Sequence, residues 1–204
     1  MDITVLQNSL DALSAWRKNE LLQAHFLAEN AETIESKRYL CRVWVLMMYA
    51  HCDNFLKEAA KSYLAYVKST SSIHYKPDLM WLIMRGKDVL TEGKDGNYKS
   101  LEDYHKIKND SFFEVILSDD VFNKKSFQYK LLRFFCDWVL QINYEHGEFS
   151  DFCERLKEKR NSIAHGEQIY ADVAEDCMPW HEKTIKFMDS LKDSLVESAR
   201  SYMN

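Results

Sequence analysis

Three residues in one short stretch carry side chains suited to chemistry on phosphate: Arg160, Asn161 and His165. Arginine binds phosphate oxygens well because its planar guanidinium donates parallel hydrogen bonds and keeps its charge. Histidine is suited to moving a proton near neutral pH. These residue types indicate a phosphate-directed site with acid–base capacity. An arginine and a histidine near a helix end are also common without any function.

The spacing of these residues indicates where they lie on a helix. Gly166 follows His165 directly, and a glycine after a periodic segment is typical of a helix C-terminus. Asn161 and His165 are four residues apart and share a face, whereas Arg160 is about 140° from His165 around an ideal helix. One copy of the helix therefore brings the three groups together poorly, unless the helix end unwinds or a second copy completes the site.

A second polar group lies on the longest predicted helix, beside an apolar stripe that we expect to face the core. The stripe consists of Val45, Tyr49, Cys52, Leu56, Ala59, Tyr63 and Val67. His51, Asp53 and Lys57 fall outside this stripe. Asp53 precedes Lys57 by four residues, which favours a helix ion pair. The spacing by itself favours a solvated surface pair.

Two motifs together resemble the HEPN superfamily of all-helical ribonuclease domains. Residues 160–165 resemble its signature, an arginine followed after four to six residues by a histidine, with a polar residue next to the arginine. Residues 49–57 are similar to the Tyr-Ala-His-Trp-Glu-Gly-Phe-Lys pattern of the bacterial MAE-type branch. The chain departs from that pattern at Cys52, Asp53 and Asn54, where tryptophan, glutamate and glycine are typical.

The resemblance implies a metal-independent endoribonuclease that needs no cofactor. Arg160 would stabilise the scissile phosphate, His165 would move a proton, and Asn161 would orient His165 or the phosphate. The 2′-hydroxyl of the RNA would be the nucleophile, which leaves a 2′,3′-cyclic phosphate. Members of this superfamily act as two-fold dimers with two motifs in one cleft. The resemblance also implies a role as a toxin or anti-phage defence effector, with an antitoxin or sensor protein as a further partner.

Further residues follow from the two motifs and from local charge. The resemblance implies that Asp53, Lys57 and His51 support His165. Because the whole chain has a formal net charge of −5, any RNA contact must be a local basic patch. The candidate RNA-binding cations lie on the motif helix itself: Arg155, Lys157 and Lys159.

Two other interpretations of the motifs stay open. The first is a non-catalytic HEPN-like module that dimerises or binds a nucleotide or a partner protein. The second is a helical interaction protein whose motif match is due to chance. RNA cleavage that depends on both Arg160 and His165 distinguishes the nuclease from both.

The composition predicts one all-α domain spanning residues 1–204, because a chain with only two prolines and five glycines suits long helices. The five cysteines are scattered without a Cys-x-x-Cys pair, which favours reduced thiols and a cytoplasmic protein. No segment has the pattern of a signal peptide or a membrane span, so we expect no contact with a membrane.

Apolar periodicity predicts a bundle of four to five main helices. We expect helices over about 3–30, 33–68 and 126–143, a motif helix capped by Ser150 or Asp151 and ending near residue 165, and a last helix from residue 180. A short helix is predicted over 79–84. The segment of about 85–120 is predicted to be an irregular insertion between helices.

Overall fold

A computed structural model describes residues 2–70, 126–167 and 177–201, and within these ranges the chain forms helices and connecting turns without strands. The α-helices are α1 (Ile3–Glu29), α2 (Ile34–Ser69), α3 (Tyr129–Phe134), α4 (Ser150–Ala164) and α5 (Met178–Ser201). The predicted all-α fold class is therefore confirmed. The predicted insertion of about 85–120 and the short helix over 79–84 lie outside the described residues.

Helix α1 begins as the sequence predicts and buries a narrow stripe. The Asp2 side chain accepts a hydrogen bond from the Thr4 amide at 3.3 Å, which caps the first turn. Leu6, Leu10 and Leu21 are buried, and the stripe continues through small residues, Ala24 and Ala28. Phe26 and Leu27 are 60% and 54% exposed, because the alanines occupy the inner face of the last turns.

Helices α1 and α2 form an antiparallel hairpin. The Thr33 side chain caps α2 by accepting from the Ser36 amide at 3.1 Å. Contacts between early residues of α1 and late residues of α2 fix the direction: Ser9 meets Ser62, and Arg17 binds Glu58. The short connection leaves antiparallel packing as the natural arrangement.

Helix α5 packs against both members of this hairpin. Lys18 of α1 binds Asp189 at 2.5 Å, and the Tyr63 hydroxyl of α2 lies 2.9 Å from the Ser198 hydroxyl. Met188, Leu191 and Leu195 of α5 are fully buried. Three long helices thus enclose most of the described core.

The predicted helix over 126–143 is shorter and changes form. Residues 126–128 are not helical, α3 starts at Tyr129, and a π-helical turn follows over Phe135–Leu140. Gln141 then takes a left-handed conformation (φ 51°), which ends the segment before Asn143. The apolar spacing predicted one long α-helix because Leu131, Phe135 and Val139 recur every four residues and are all buried.

The predicted side-chain cap of α4 is also wrong. A 3₁₀ turn, His146–Phe149, leads directly into α4, and no side chain caps the helix start. The Ser150 amide donates to the carbonyl of Gly147, so backbone groups of the 3₁₀ turn provide part of what a cap would provide. His146 holds this turn against α3, because its ring lies 3.1 Å from the Tyr129 hydroxyl and 3.0 Å from an Asp137 carboxylate oxygen.

Within the described residues no helix is both long and apolar enough to cross a membrane. The five cysteines are all buried thiols, and burial raises the pKa of Cys153 to about 12. Such thiols are poor nucleophiles, which suits a role in packing.

Candidate functional site

Helix α4 ends where the sequence predicts, in a defined backbone motif around His165. The Gly166 amide donates to the carbonyl of Ile163 at 3.1 Å, and the Glu167 amide donates to the carbonyl of Ser162 at 3.0 Å. Gly166 has φ +79°, the left-handed conformation that this type of helix end requires. The carbonyls of Ser162 and Ile163 in the last turn therefore accept backbone hydrogen bonds. The side chain of His165 is left exposed at the end of the helix.

Arg160 and Asn161 form a connected pair on the last turns of α4. The Arg160 Nη1 donates to the Asn161 Oδ1 at 3.0 Å. The guanidinium carbon of Arg160 lies 5.3 Å from the centroid of the Tyr49 ring, within range of a cation–π interaction. Arg160 nevertheless stays exposed, so its remaining donors face solvent. The arrangement presents a held guanidinium to an incoming anion.

Tyr49 gives Arg160 a rigid support. Its ring is only 7% exposed, and its hydroxyl donates to the carbonyl of Phe127 at 3.2 Å. Burial raises the pKa of Tyr49, the negative charge of Asp53 raises it further, and the positive charge of Arg160 lowers it. Asp53 and Arg160 are thus both close enough to Tyr49 to act on its charge. The sequence placed Tyr49 in the core stripe and missed this contact.

Asp53 and Lys57 form a largely buried pair. Lys57 Nζ lies 2.6 Å from Asp53 Oδ2, and the two side chains are 9% and 19% exposed. The second carboxylate oxygen, Oδ1, is buried without a hydrogen-bond partner in the described part of the chain. The interpretation as a solvated surface pair is therefore wrong. Helix α2 is packed by α1, α4 and α5, so more than one stripe of its surface is covered.

His51 lies on a different side of α2 from Asp53. Its ring meets Trp16 of α1 edge-on at 5.4 Å, and its Nε2 is 3.2 Å from Glu20. Burial lowers the pKa of His51. The expectation that it lies off the buried surface is wrong, because its side chain is 6% exposed. Its contacts are with α1, so the structure does not bring it into the group around Arg160.

The three candidate RNA-binding cations do not share one surface of α4. Lys157 donates to the Gln128 side chain at 2.5 Å, and Arg155 lies 3.5 Å from Asp151 in an exposed pair. Arg155 and Lys159 instead line a cavity of about 250 Å³ between α4 and α5. Its other lining residues are Glu158, Ser162 and Trp180. These three residues were not predicted, although the spacing of Glu158 and Ser162 along α4 was visible in the sequence.

The exposed end of α4 offers a guanidinium, an amide and an imidazole, which can bind a phosphate and exchange a proton. Over residues 2–70, 126–167 and 177–201, no group of three or more His, Cys, Asp or Glu side chains is arranged to hold a metal ion. Fold and site together define a helical domain with an Arg-Asn pair and a histidine at one helix end.

Comparison with known families assigns this domain. The profile of the RiboL-PSP-HEPN family matches residues 12–197, which include both motifs. The chain therefore belongs to the RiboL-PSP-HEPN family, and the resemblance to the HEPN superfamily is confirmed. Its placement in the MAE-type branch stays a prediction. No curated protein matches the chain, and no solved structure matches it.

Proposed function

We propose that this protein is a metal-independent endoribonuclease whose site is the C-terminal end of α4. One observation carries the proposal: the exposed guanidinium of Arg160 lies over Tyr49 and binds Asn161, one turn before His165 at the helix end. Membership of a HEPN family supports it, because HEPN domains are often endoribonucleases.

The proposed reaction uses the RNA as its own nucleophile. The 2′-oxygen attacks the neighbouring phosphorus, the P–O2′ bond forms, and the P–O5′ bond breaks. The 2′-hydroxyl loses its proton to a base, and the leaving 5′-oxygen gains one from an acid. His165 performs one of these proton transfers. Arg160 stabilises the negative charge that builds on the phosphate oxygens, and Asn161 holds the guanidinium through its side-chain oxygen.

A two-fold homodimer would complete this site. The reaction needs both a base and an acid, and each copy of α4 supplies a single histidine to its exposed end. Two copies facing each other would provide both roles and a second guanidinium. The proposed dimer therefore resolves the difficulty that one helix places its groups on different faces.

Further parts of the proposal concern support and setting. Asp53 and Lys57 act as positioning residues near Tyr49, whereas His51 stabilises the α1–α2 contact. The MAE-type motif on α2 favours that branch of the superfamily. A cytoplasmic toxin or anti-phage effector, restrained by an antitoxin or governed by a sensor protein, fits the buried thiols and the family.

The direct test is cleavage of RNA in the presence of EDTA, with analysis of the product ends. The wild type is compared with His165→Ala, Arg160→Lys and Asn161→Ala. Lysine keeps the charge of Arg160 but loses the planar fork, so we expect a loss of about 10²-fold or more in rate. Arg200→Lys is the matched control, because Arg200 is exposed near the end of α5.

Chelator-resistant cleavage that yields 2′,3′-cyclic phosphates, and is lost in His165→Ala, would support the proposal. Equal cleavage by the wild type and His165→Ala would contradict the assignment of the site. A folded dimer that binds RNA or nucleotides without cutting any RNA would favour the alternative, a non-catalytic HEPN-like module. Analytical ultracentrifugation of the same samples determines the oligomeric state.

A further inference from the structure

The cavity between α4 and α5 has the make-up of a binding site. Its lining combines the indole ring of Trp180, the cations Arg155 and Lys159, the carboxylate of Glu158 and the hydroxyl of Ser162. The four residues from α4 are spaced by three and four, so they share one face of that helix. Arg160 lies on another face of α4, against Tyr49. The cavity is therefore separate from the Arg160–Asn161 pair.

The size of the cavity limits what it can hold. At about 250 Å³ it falls just below the range of roughly 300–1,000 Å³ typical of pockets for drug-sized molecules. A single flat ring with a phosphate attached outside is a suitable occupant. Trp180 is half-buried and packs against the hydrophobic core, so its ring is held in place. A fixed aromatic ring is a common platform on which single-stranded RNA stacks its bases.

We propose that this cavity is a nucleobase subsite for single-stranded RNA. Trp180 stacks on the base, Glu158 accepts a hydrogen bond from the base edge, and Arg155 and Lys159 bind the adjoining phosphate. The exposed pair between Arg155 and Asp151, at 3.5 Å, is weak enough to be exchanged for a phosphate contact. This inference rests on the proposed function, which makes RNA the source of the bound nucleotide.

The carboxylate of Glu158 gives the subsite a preference. An ionised carboxylate only accepts hydrogen bonds, so it favours bases that present an exocyclic amino group. Cytosine presents such a donor at N4, whereas uracil has a carbonyl oxygen at the same position. A uracil O4 facing Glu158 would bring two acceptors together without a proton. With position 4 of the base facing Glu158, the subsite therefore prefers cytosine, since uracil would offer the carboxylate only its ring N3–H.

The location of the subsite connects it to cleavage. Lys159 is six residues before His165, roughly 9 Å along the helix axis. Ser162 lines the cavity, and its carbonyl accepts the hydrogen bond from the Glu167 amide that closes the turn around His165. It therefore belongs to both regions. A base held in the cavity thus places a nearby phosphate of the same strand at the end of α4. The subsite would determine which phosphate is cut.

Binding of RNA that cannot be cleaved tests the subsite without requiring nuclease activity. The probes are fluorescein-labelled 2′-O-methyl ten-mers of cytidine and of uridine, and the readout is fluorescence anisotropy of the full chain. We expect the wild type to bind the cytidine oligomer about five- to tenfold more tightly. Trp180→Leu should weaken the binding of both oligomers about tenfold, because it removes the stacking ring.

Glu158→Gln is the decisive variant. Its nonspecific effect on RNA affinity, which comes from the loss of one negative charge, can be measured separately and subtracted. Loss of a negative charge strengthens the binding of any RNA, and Glu197→Gln, an exposed site on α5, measures that effect. Glutamine offers both a donor and an acceptor, so the ratio of cytidine to uridine affinity should fall to about one. Glu197→Gln should leave the ratio unchanged.

Three outcomes decide the matter. An unchanged affinity ratio in Glu158→Gln would overturn the subsite, even if Trp180→Leu failed to fold. Displacement of the oligomer by millimolar CMP would support recognition of one base with its phosphate. Tight binding of CMP by a protein that binds neither oligomer would support the base recognition and identify a free nucleotide as its source. Because none of these measurements uses cleavage, an inactive nuclease would not affect the result.

Discussion

The guanidinium of Arg160 lies over the ring of Tyr49, 5.3 Å from its centroid, and so joins the end of α4 to the middle of α2. The ring of Tyr49 is held in place because its hydroxyl donates a hydrogen bond to the carbonyl of Phe127 at 3.2 Å. Asp53, one turn further along α2, lies close enough to raise the pKa of Tyr49. The two sequence motifs, about a hundred residues apart, thus meet at one contact.

Substitution of Tyr49 should separate its two roles. Tyr49→Phe keeps the ring under Arg160 but loses the hydrogen bond to Phe127, so we expect a loss of about 1 kcal/mol in the free energy of unfolding and near-normal RNA cleavage. Tyr49→Leu removes the ring as well, and cleavage should fall at least tenfold. Urea unfolding and single-turnover cleavage measure the two effects. Equal cleavage by the two variants would show that the ring does not position Arg160.

Gly166 should matter for its backbone conformation alone. A Cβ at this position would meet no atom within 4 Å, but φ +79° is unfavourable for any L side chain. Gly166→Ala should therefore cost about 1–2 kcal/mol of stability or unwind the turn, and it should reduce cleavage by moving His165. Gly147→Ala is the control, because Gly147 has equal space and no positive φ. A similar effect of both variants on thermal unfolding and cleavage would contradict this account.

The pair between Arg17 and Glu58 should be far stronger than a surface pair of similar geometry. Arg17 is 1% exposed and binds a Glu58 that is 49% exposed, at 2.6 Å. Glu58→Gln leaves a buried guanidinium without its counter-charge, so we expect a loss of about 2 kcal/mol or more. Asp11→Asn is the matched control: Asp11 is 50% exposed, and its partner Lys192 is 22% exposed. That change should cost less than about 1 kcal/mol in urea unfolding.

Stability should fall as the pH is lowered through the titration of His51. Burial lowers the pKa of His51 from its ordinary value of 6.5, and the positive charge of Arg17 lowers it further, partly opposed by the negative charge of Glu20. Above pH 6.5 both the folded and unfolded states hold a neutral ring. Below that value the unfolded state binds the proton first, so stability decreases until the pH passes below the folded-state pKa. His51→Gln removes this contribution.

The measurement for His51 is the urea midpoint at about pH 7.5 and about pH 5. The difference between the two values should be smaller in His51→Gln than in the wild type. His181 contributes in the same direction, because burial and the charge of His25 lower its pKa. The double variant His51→Gln/His181→Gln should therefore show the flattest profile. An identical pH dependence in all three proteins would exclude both histidines as its source.

The local features of this protein followed from the sequence because they depend on near neighbours. The apolar periodicity predicted α1, α2, α4 and α5, and Gly166 marked the end of α4. The two motifs were sufficient to indicate the superfamily that the family match confirms. Each of these signals is contained within a few helical turns.

Only the tertiary structure decided which side chains meet. Helix α2 is covered by three other helices, and this buried His51 and Lys57, which an isolated helix would expose. It also placed His51 against α1 and Asp53 near Tyr49, although the two residues are close neighbours on one helix. The packing of α5 against α4 created the cavity that contains Trp180. Sequence spacing fixes the faces of a single helix, whereas the packing of several helices determines what each face contacts.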